Sequence, residues 1–255
     1  VNVIRDLISG AWTGALDLVF APICVACREP VSTTEPERIV CRVCWTRCRP
    51  LPAPRCDRCW GPVPAREDPR PKCRTCGEWP AAVRSIRSAF VMGTEPRALV
   101  HALKYGGWRA AAEPMSARMA AMTWPRDVDD EARLVVAVPT SRSRLRERGY
   151  NQAVLLADGF ARRTGRASAP GLLVRTRASA TQTALHPGER KANVARAFTA
   201  PAAGAGELRG EHVILVDDVW TTGATALACS QALLEAGARV VSVATFARVI
   251  PELER

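Results

Sequence analysis

The chain has 255 residues, 47% of them apolar, and a formal net charge of +11. That length admits one large domain or two modest ones, and the apolar share supports a packed core. No run is long and apolar enough to cross a bilayer as a helix. The charge points to polyanionic ligands, namely phosphates, nucleic acid or an anionic surface, although the Arg- and Ala-rich usage of a GC-rich genome would raise it too.

Residues 1–20 place Ile4, Leu7, Ile8, Ala11, Trp12, Ala15 and Leu16 at helical spacing, which predicts an amphipathic helix packed on the body of the protein. Arg5, Asp6 and Asp17 interrupt the apolar stretch and leave no secretory core. The expected compartment is therefore the cytoplasm, with reduced cysteines.

Residues 21–80 form a second region, rich in Pro and Cys and without regular periodicity. Nine of the ten cysteines lie between Cys24 and Cys76. They form four CxxC pairs: Cys24 and Cys27, Cys41 and Cys44, Cys56 and Cys59, Cys73 and Cys76. In a reducing compartment such pairs signal zinc, each pair clamping one side of a tetrahedral ion as thiolates. Eight ligands fit two closed structural sites. Sequential pairing joins the first two pairs and the last two; interleaved pairing is the alternative. Cys48 and Cys229 are left over, and Cys229 reads as a small core residue. Arg42, Arg47, Arg49, Arg55, Arg58 and Arg74, with Trp45, Trp60 and Trp79, could make this module a nucleic-acid platform. The plainer reading has the tryptophans covering a small core.

From residue 84 the pattern alternates between strand and helix. Strands are expected at 88–92, 134–138, 213–216 and 240–246, and helices at 96–104, 109–122, 151–163 and 224–236. Such alternation implies an α/β domain over 84–255 with a mostly parallel sheet covered on both faces. Residues 175–196 are polar, with a Pro-Gly at 187–188, and read as a surface loop.

The sharpest motif follows the strand at 213–216. Asp217 and Asp218 stand at its C-terminal end, and Thr221, Thr222, Gly223, Ala224 and Thr225 open the next helix. The C-terminal edge of a parallel strand is where open α/β sheets bind ligands. A Thr/Gly loop at a helix start offers backbone N–H groups to an anion. Two adjacent carboxylates would repel a phosphate unless they grip neutral hydroxyls or share a cation. A ribose 5-phosphate meets both demands.

This segment resembles the signature of type I phosphoribosyltransferases, and the wider chain is similar to the ComF family, named for its link to bacterial DNA uptake. The similarity takes in the cysteine pairs, His101 to Lys104, Val138 to Ser141, Arg148 to Gln152, Gln182, Arg190, Asn193 and Phe198. It implies a type I phosphoribosyltransferase fold behind a double zinc ribbon, binding phosphoribosyl diphosphate with Mg2+. On it Asp217, Asp218, Val219 and residues 221–225 hold the ribose 5-phosphate, the two acids also reaching the Mg2+ through water. Trp220 falls at a variable position. The resemblance makes Pro139, Thr140, Ser141 and Arg142 the diphosphate loop, and residues 175–196 a lid that closes over substrate. Charge agrees independently: residues 139–198 hold twelve Lys or Arg against three acids, and guanidinium forks suit phosphate oxygens.

Three functional readings follow. In the first the chain is an enzyme that transfers a phosphoribosyl group to an acceptor the sequence does not name. In the second it handles single-stranded DNA or senses phosphoribosyl diphosphate without turnover. In the third the fold is only a scaffold for a homo-oligomer.

Overall fold

The computed structural model describes residues 22–32, 37–63, 73–176 and 197–251. The expected helix over 1–20 and most of the expected lid, 177–196, lie outside them. The cysteine region contributes two short helices, α1 (Arg42–Arg47) and α2 (Arg74–Gly77). The remaining elements, in chain order, begin with β1 (Val83–Val91), α3 (Thr94–Tyr105), α4 (Ala112–Ala120) and α5 (Arg126–Glu131). Next come β2 (Leu134–Ala137), α6 (Arg142–Arg148), α7 (Gln152–Thr164) and β3 (Ala167–Ser168). Then follow β4 (Val174–Arg175), β5 (Phe198–Thr199), α8 (Ala205–Leu208), β6 (His212–Trp220), α9 (Ala224–Glu235) and β7 (Val240–Arg248).

Five strands make one sheet in the order β1-β7-β6-β2-β3, and every pairing in it is parallel. Four of these strands are those the alternating pattern predicts, three of them longer than expected, and the edge strand β3 was not expected. β1 begins at Val83 because Val83 and Ile86 are buried against β7. β7 runs to Arg248 beside it, and β6 runs through both acids to Trp220, paired with β7 over its whole length. Charged residues inside a paired strand break the apolar pattern that marks its ends.

The topology opens a crevice at one place on the sheet edge. β2 and β6 are neighbours, yet the chain leaves β2 towards β3 and leaves β6 towards β7. Right-handed crossovers leaving in opposite directions put α7 and α9 on opposite faces. Between the C-terminal ends of β2 and β6 the connections diverge and leave a crevice, the switch point of an open α/β sheet. α7 is seated closely on α4: a Cβ on Gly159 would stand 2.2 Å from the Ser116 Oγ.

α5 and α6 were not expected. α6 buries no residue, so no apolar stripe announces it. Its signal lies in its ends: the Ser141 Oγ accepts from the Arg144 N–H at 3.3 Å, and Gly149 closes it at φ +75°, a conformation that favours glycine. The cysteine region is not a separate core. Cys24, Val25, Val40, Cys41 and Cys44 are buried in the same apolar cluster as the sheet, while Cys56, Cys59 and Cys76 make a small cluster of their own.

Candidate functional site

The two loops singled out in the sequence stand side by side. Val138 N–H donates to the Val216 carbonyl at 2.9 Å, which carries the pairing of β2 with β6 up to the loop. Pro139, Thr140 and Ser141 follow, half-buried, and Arg142 is exposed on the first turn of α6. The Asn151 amide donates to the Val138 carbonyl at 2.9 Å while its oxygen caps α7. One side chain thus ties the loop to the helix behind it.

Across the crevice, side chains alternate along β6. Asp218 turns towards α7 and Asp217 to the opposite face. Asp218 is 3% exposed. Its carboxylate accepts from Lys104 Nζ at 2.7 Å and from Gln152 Nε2 at 2.8 Å. The two acids are therefore not equivalent, and the expectation that both stand free at a strand edge needs correction. Asp218 is a buried anchor between α3 and α7. Arg148 Nη1 holds the Gln152 Oε1 at 2.9 Å, and the Tyr150 hydroxyl donates to the Leu103 carbonyl. Lys104, Arg148, Tyr150 and Gln152 belong to motifs that carried the resemblance, but the meeting of Lys104 and Gln152 on one carboxylate was not legible, because Lys104 and Asp218 are far apart in the chain. Asp217 makes only a local bond, from the Asp218 N–H at 2.9 Å. Desolvation, and then the charge of Asp218 beside it, pushes the Asp217 carboxyl up to about 8.

Val219 is half-buried, and Thr221, Thr222 and Thr225 are exposed at the start of α9. The N–H groups of Thr221, Thr222 and Gly223 have no hydrogen-bond partner among the described residues, and that of Ala224 reaches only the Thr222 Oγ1, at 3.4 Å. Gly223 has φ +80°, and a Cβ there would stand 2.2 Å from the Trp220 ring. Conformation and space both demand glycine. Trp220, set aside in the sequence as variable, is 3% exposed and lies directly under the loop.

The cysteines gather sequentially. Cys24, Cys27, Cys41 and Cys44 form one group, and Cys56, Cys59, Cys73 and Cys76 the other, with sulfurs within 4.8 Å of one another. Four thiolates each about 2.3 Å from a tetrahedral ion would stand about 3.8 Å apart. The Cys27–Cys41, Cys56–Cys76 and Cys59–Cys73 sulfurs are 3.8, 3.6 and 3.6 Å apart, too far for disulfides and suited to zinc. Burial pushes Cys24 and Cys73 up, but neighbouring N–H groups overcome it and bring each to about 7. In the same groups burial and the other sulfurs hold Cys44 and Cys76 far up. Cys48 and Cys229 stand apart from the two groups and are buried, Cys229 as expected of a core residue.

Arg55, Arg58, Trp45 and Trp60 of this region are engaged in packing, while Arg42, Arg47 and Arg49 are exposed. Arg58 donates to the Val83, Cys76, Trp79 and Pro80 carbonyls. Trp60 lies between Arg55 and Arg87, at 4.7 and 4.1 Å, and Trp45 packs near Phe90 and Phe246. These contacts favour the covering role over an open stacking platform. Arg142, Arg144 and Arg146, by contrast, are exposed on α6 without an ion pair among the described residues. No helix among the described residues is long and apolar enough to cross a membrane.

Comparison with known proteins adds four findings. The phosphoribosyl transferase domain family matches residues 151–253, a span that includes the acids and the 221–225 loop. The chain is 36% identical over 116 residues to DNA utilization protein YhgH of Escherichia coli K12, covering 46% of this chain and 49% of that protein. It is 33% identical over 114 residues to competence protein F of Haemophilus influenzae, covering 45% and 49%. The chain thus spans about half the length of the curated relatives it matches. Glutamine phosphoribosylpyrophosphate amidotransferase from B. subtilis is similar at 24% identity and a TM-score of 0.37, over 53% of this chain and 26% of that one.

Proposed function

We propose that the chain is a ComF-type protein whose phosphoribosyltransferase-type domain binds phosphoribosyl diphosphate with Mg2+ and transfers the phosphoribosyl group to an acceptor. The observation that carries this reading is the pair of loops on adjacent strands at the switch point, with Asp217 and Asp218 at the end of the strand that leads into the second loop. The unpartnered N–H groups of Thr221, Thr222 and Gly223 would hold the 5-phosphate. Asp217 would hold the ribose hydroxyls. Asp218 would set the depth of the site through Lys104 and Gln152, and would reach ligand or ion only by giving up one of those bonds. Pro139, Thr140, Ser141 and Arg142 would hold the diphosphate. Mg2+ would neutralise charge on the leaving diphosphate. As the C1–O bond breaks, its electron pair leaves with the diphosphate, and the acceptor's lone pair closes on C1. Positioning and charge stabilisation supply most of such catalysis. Residues 21–80 would be a double zinc ribbon holding two structural ions, ahead of a catalytic domain at 84–255.

Diphosphate release, followed with a panel of bases and amines, tests turnover, and calorimetry with phosphoribosyl diphosphate and Mg2+ tests binding. Tight binding with no release for any acceptor would leave a sensor; absence of both would end the reading. A second reading, handling of single-stranded DNA, is favoured by the exposed basic helix α6 and by the names of the relatives.

A further inference from the structure

The 221–225 loop and the second cysteine group meet in one place. Thr221, Thr222, Cys59 and Cys73 line one cavity of about 760 Å3. Beneath the loop lies the Trp220 indole, close enough to Gly223 to exclude a side chain there. Trp79 and the guanidinium of Arg248 hold that indole, at 5.4 and 5.7 Å. Both lead to the second cysteine group. The Trp79 N–H donates to the Cys76 carbonyl at 3.2 Å, and Arg248 Nη1 donates to the Cys59 carbonyl at 2.6 Å. Arg248 is 8% exposed, and a Cβ on Gly61 would stand 3.1 Å from its Nη2.

A buried guanidinium needs a counter-charge. Among the described residues no carboxylate pairs with Arg248. The negative charge beside it belongs to the thiolates, and four thiolates around a divalent ion keep a net double negative charge. Among the described residues no ring contact or hydrogen bond joins the first cysteine group to the loop. That group is buried in the main core with Trp45, whose ring faces Phe90 and Phe246 instead.

We propose that Trp220 and Arg248 are positioning residues that seat the anion loop on the second metal centre, so that metal in that centre and anion on the loop bind with positive linkage. The proposal rests on reading residues 221–225 as a phosphate loop. Emptying the centre removes the counter-charge of Arg248 and frees the Cys76 to Trp79 turn. The indole then loses its support, and the loop its fixed spacing of donors. Linkage is reciprocal, so phosphoribosyl diphosphate should slow loss of the second zinc.

The test uses the full chain in native form and as Arg248→Met, Trp220→Leu and Cys73→Ser. Zinc content, hydrogen exchange of the peptide over 219–227 and calorimetry with phosphoribosyl diphosphate and Mg2+ are read on each. Arg248→Met should keep both zinc ions, yet exchange faster in that peptide and bind about tenfold more weakly. Trp220→Leu should do the same. Cys73→Ser should lose one zinc and show the same two changes, while β2 peptides stay protected. Adding Arg248→Met to Cys73→Ser should change little further, because both cut one path. Loop exchange equal to native in Arg248→Met and in Cys73→Ser would overturn the proposal whatever the ligand does. A native protein that binds no phosphoribosyl diphosphate would instead end the functional reading, and the exchange comparison would still decide whether the loop is seated on the metal centre.

Discussion

At the scale of single residues, the two adjacent acids have different duties and so should fail differently. Asp217 makes one local bond, and desolvation and the Asp218 charge push its carboxyl up to about 8, so Asp217→Asn should abolish phosphoribosyl diphosphate binding in calorimetry without lowering the urea midpoint near neutral pH. Asp218→Asn keeps the shape but leaves Lys104 without its counter-charge in a site where the carboxylate is 3% exposed. Removing one partner of a buried pair is costly. With Lys104 still 21% exposed, a loss of about 2 kcal/mol in urea unfolding is expected. Equal stability of the two variants would show that the acids are interchangeable. Gly223→Ala adds a methyl at φ +80° into the Trp220 ring. It should cost on the order of 2 kcal/mol and weaken ligand binding together.

At the scale of elements, α6 is held by its caps rather than by burial, and it presents Arg142, Arg144 and Arg146 to solvent. If DNA uses this helix, the binding is backbone neutralisation and must be salt-dependent. Replacing the three arginines by Ala should weaken binding of a labelled single-stranded oligonucleotide. It should also reduce the slope of log affinity against log salt by about 2, given roughly 0.7 per neutralised phosphate on a single strand. Competition by phosphoribosyl diphosphate should accompany this, since α6 begins at the end of the proposed diphosphate loop. An unchanged slope in fluorescence titration would move the DNA contact off this helix.

At the scale of the whole molecule, the first cysteine group shares one core with the sheet, so metal removal should not be a local event. Metal analysis should find about two zinc ions per chain. Chelation should lower the melting temperature of the α/β body, where an independent ribbon would leave it unchanged. The sign of the pH effect follows from the thiols. Zinc binds thiolates, so binding expels protons, and apparent affinity must fall as pH drops. Cys24 and Cys73, at about 7, hold their protons more firmly below neutrality, so zinc loss to a chelator should accelerate as pH falls from 7 to 6. A rate independent of pH would show that thiolates are not the ligands.

Local chemistry determined much of this by itself. The eight paired cysteines, the strand-to-loop motif ending in Asp217 and Asp218, and the alternation of strand and helix are written in short spacings, where residue type and period suffice. Length and register were less legible: β6 and β7 run on past their apolar stretches because each is the other's pairing partner, and α6 is invisible to any periodicity because it buries nothing. Tertiary structure alone decided that the cysteines group sequentially and that the first group joins the main core. It alone decided that Asp218 is spent on Lys104 and Gln152, and that Trp220 and Arg248 stand between the anion loop and the second metal centre. Each of these is a meeting of residues distant along the chain, and only the packing of the sheet against its neighbours determines which of many such meetings takes place.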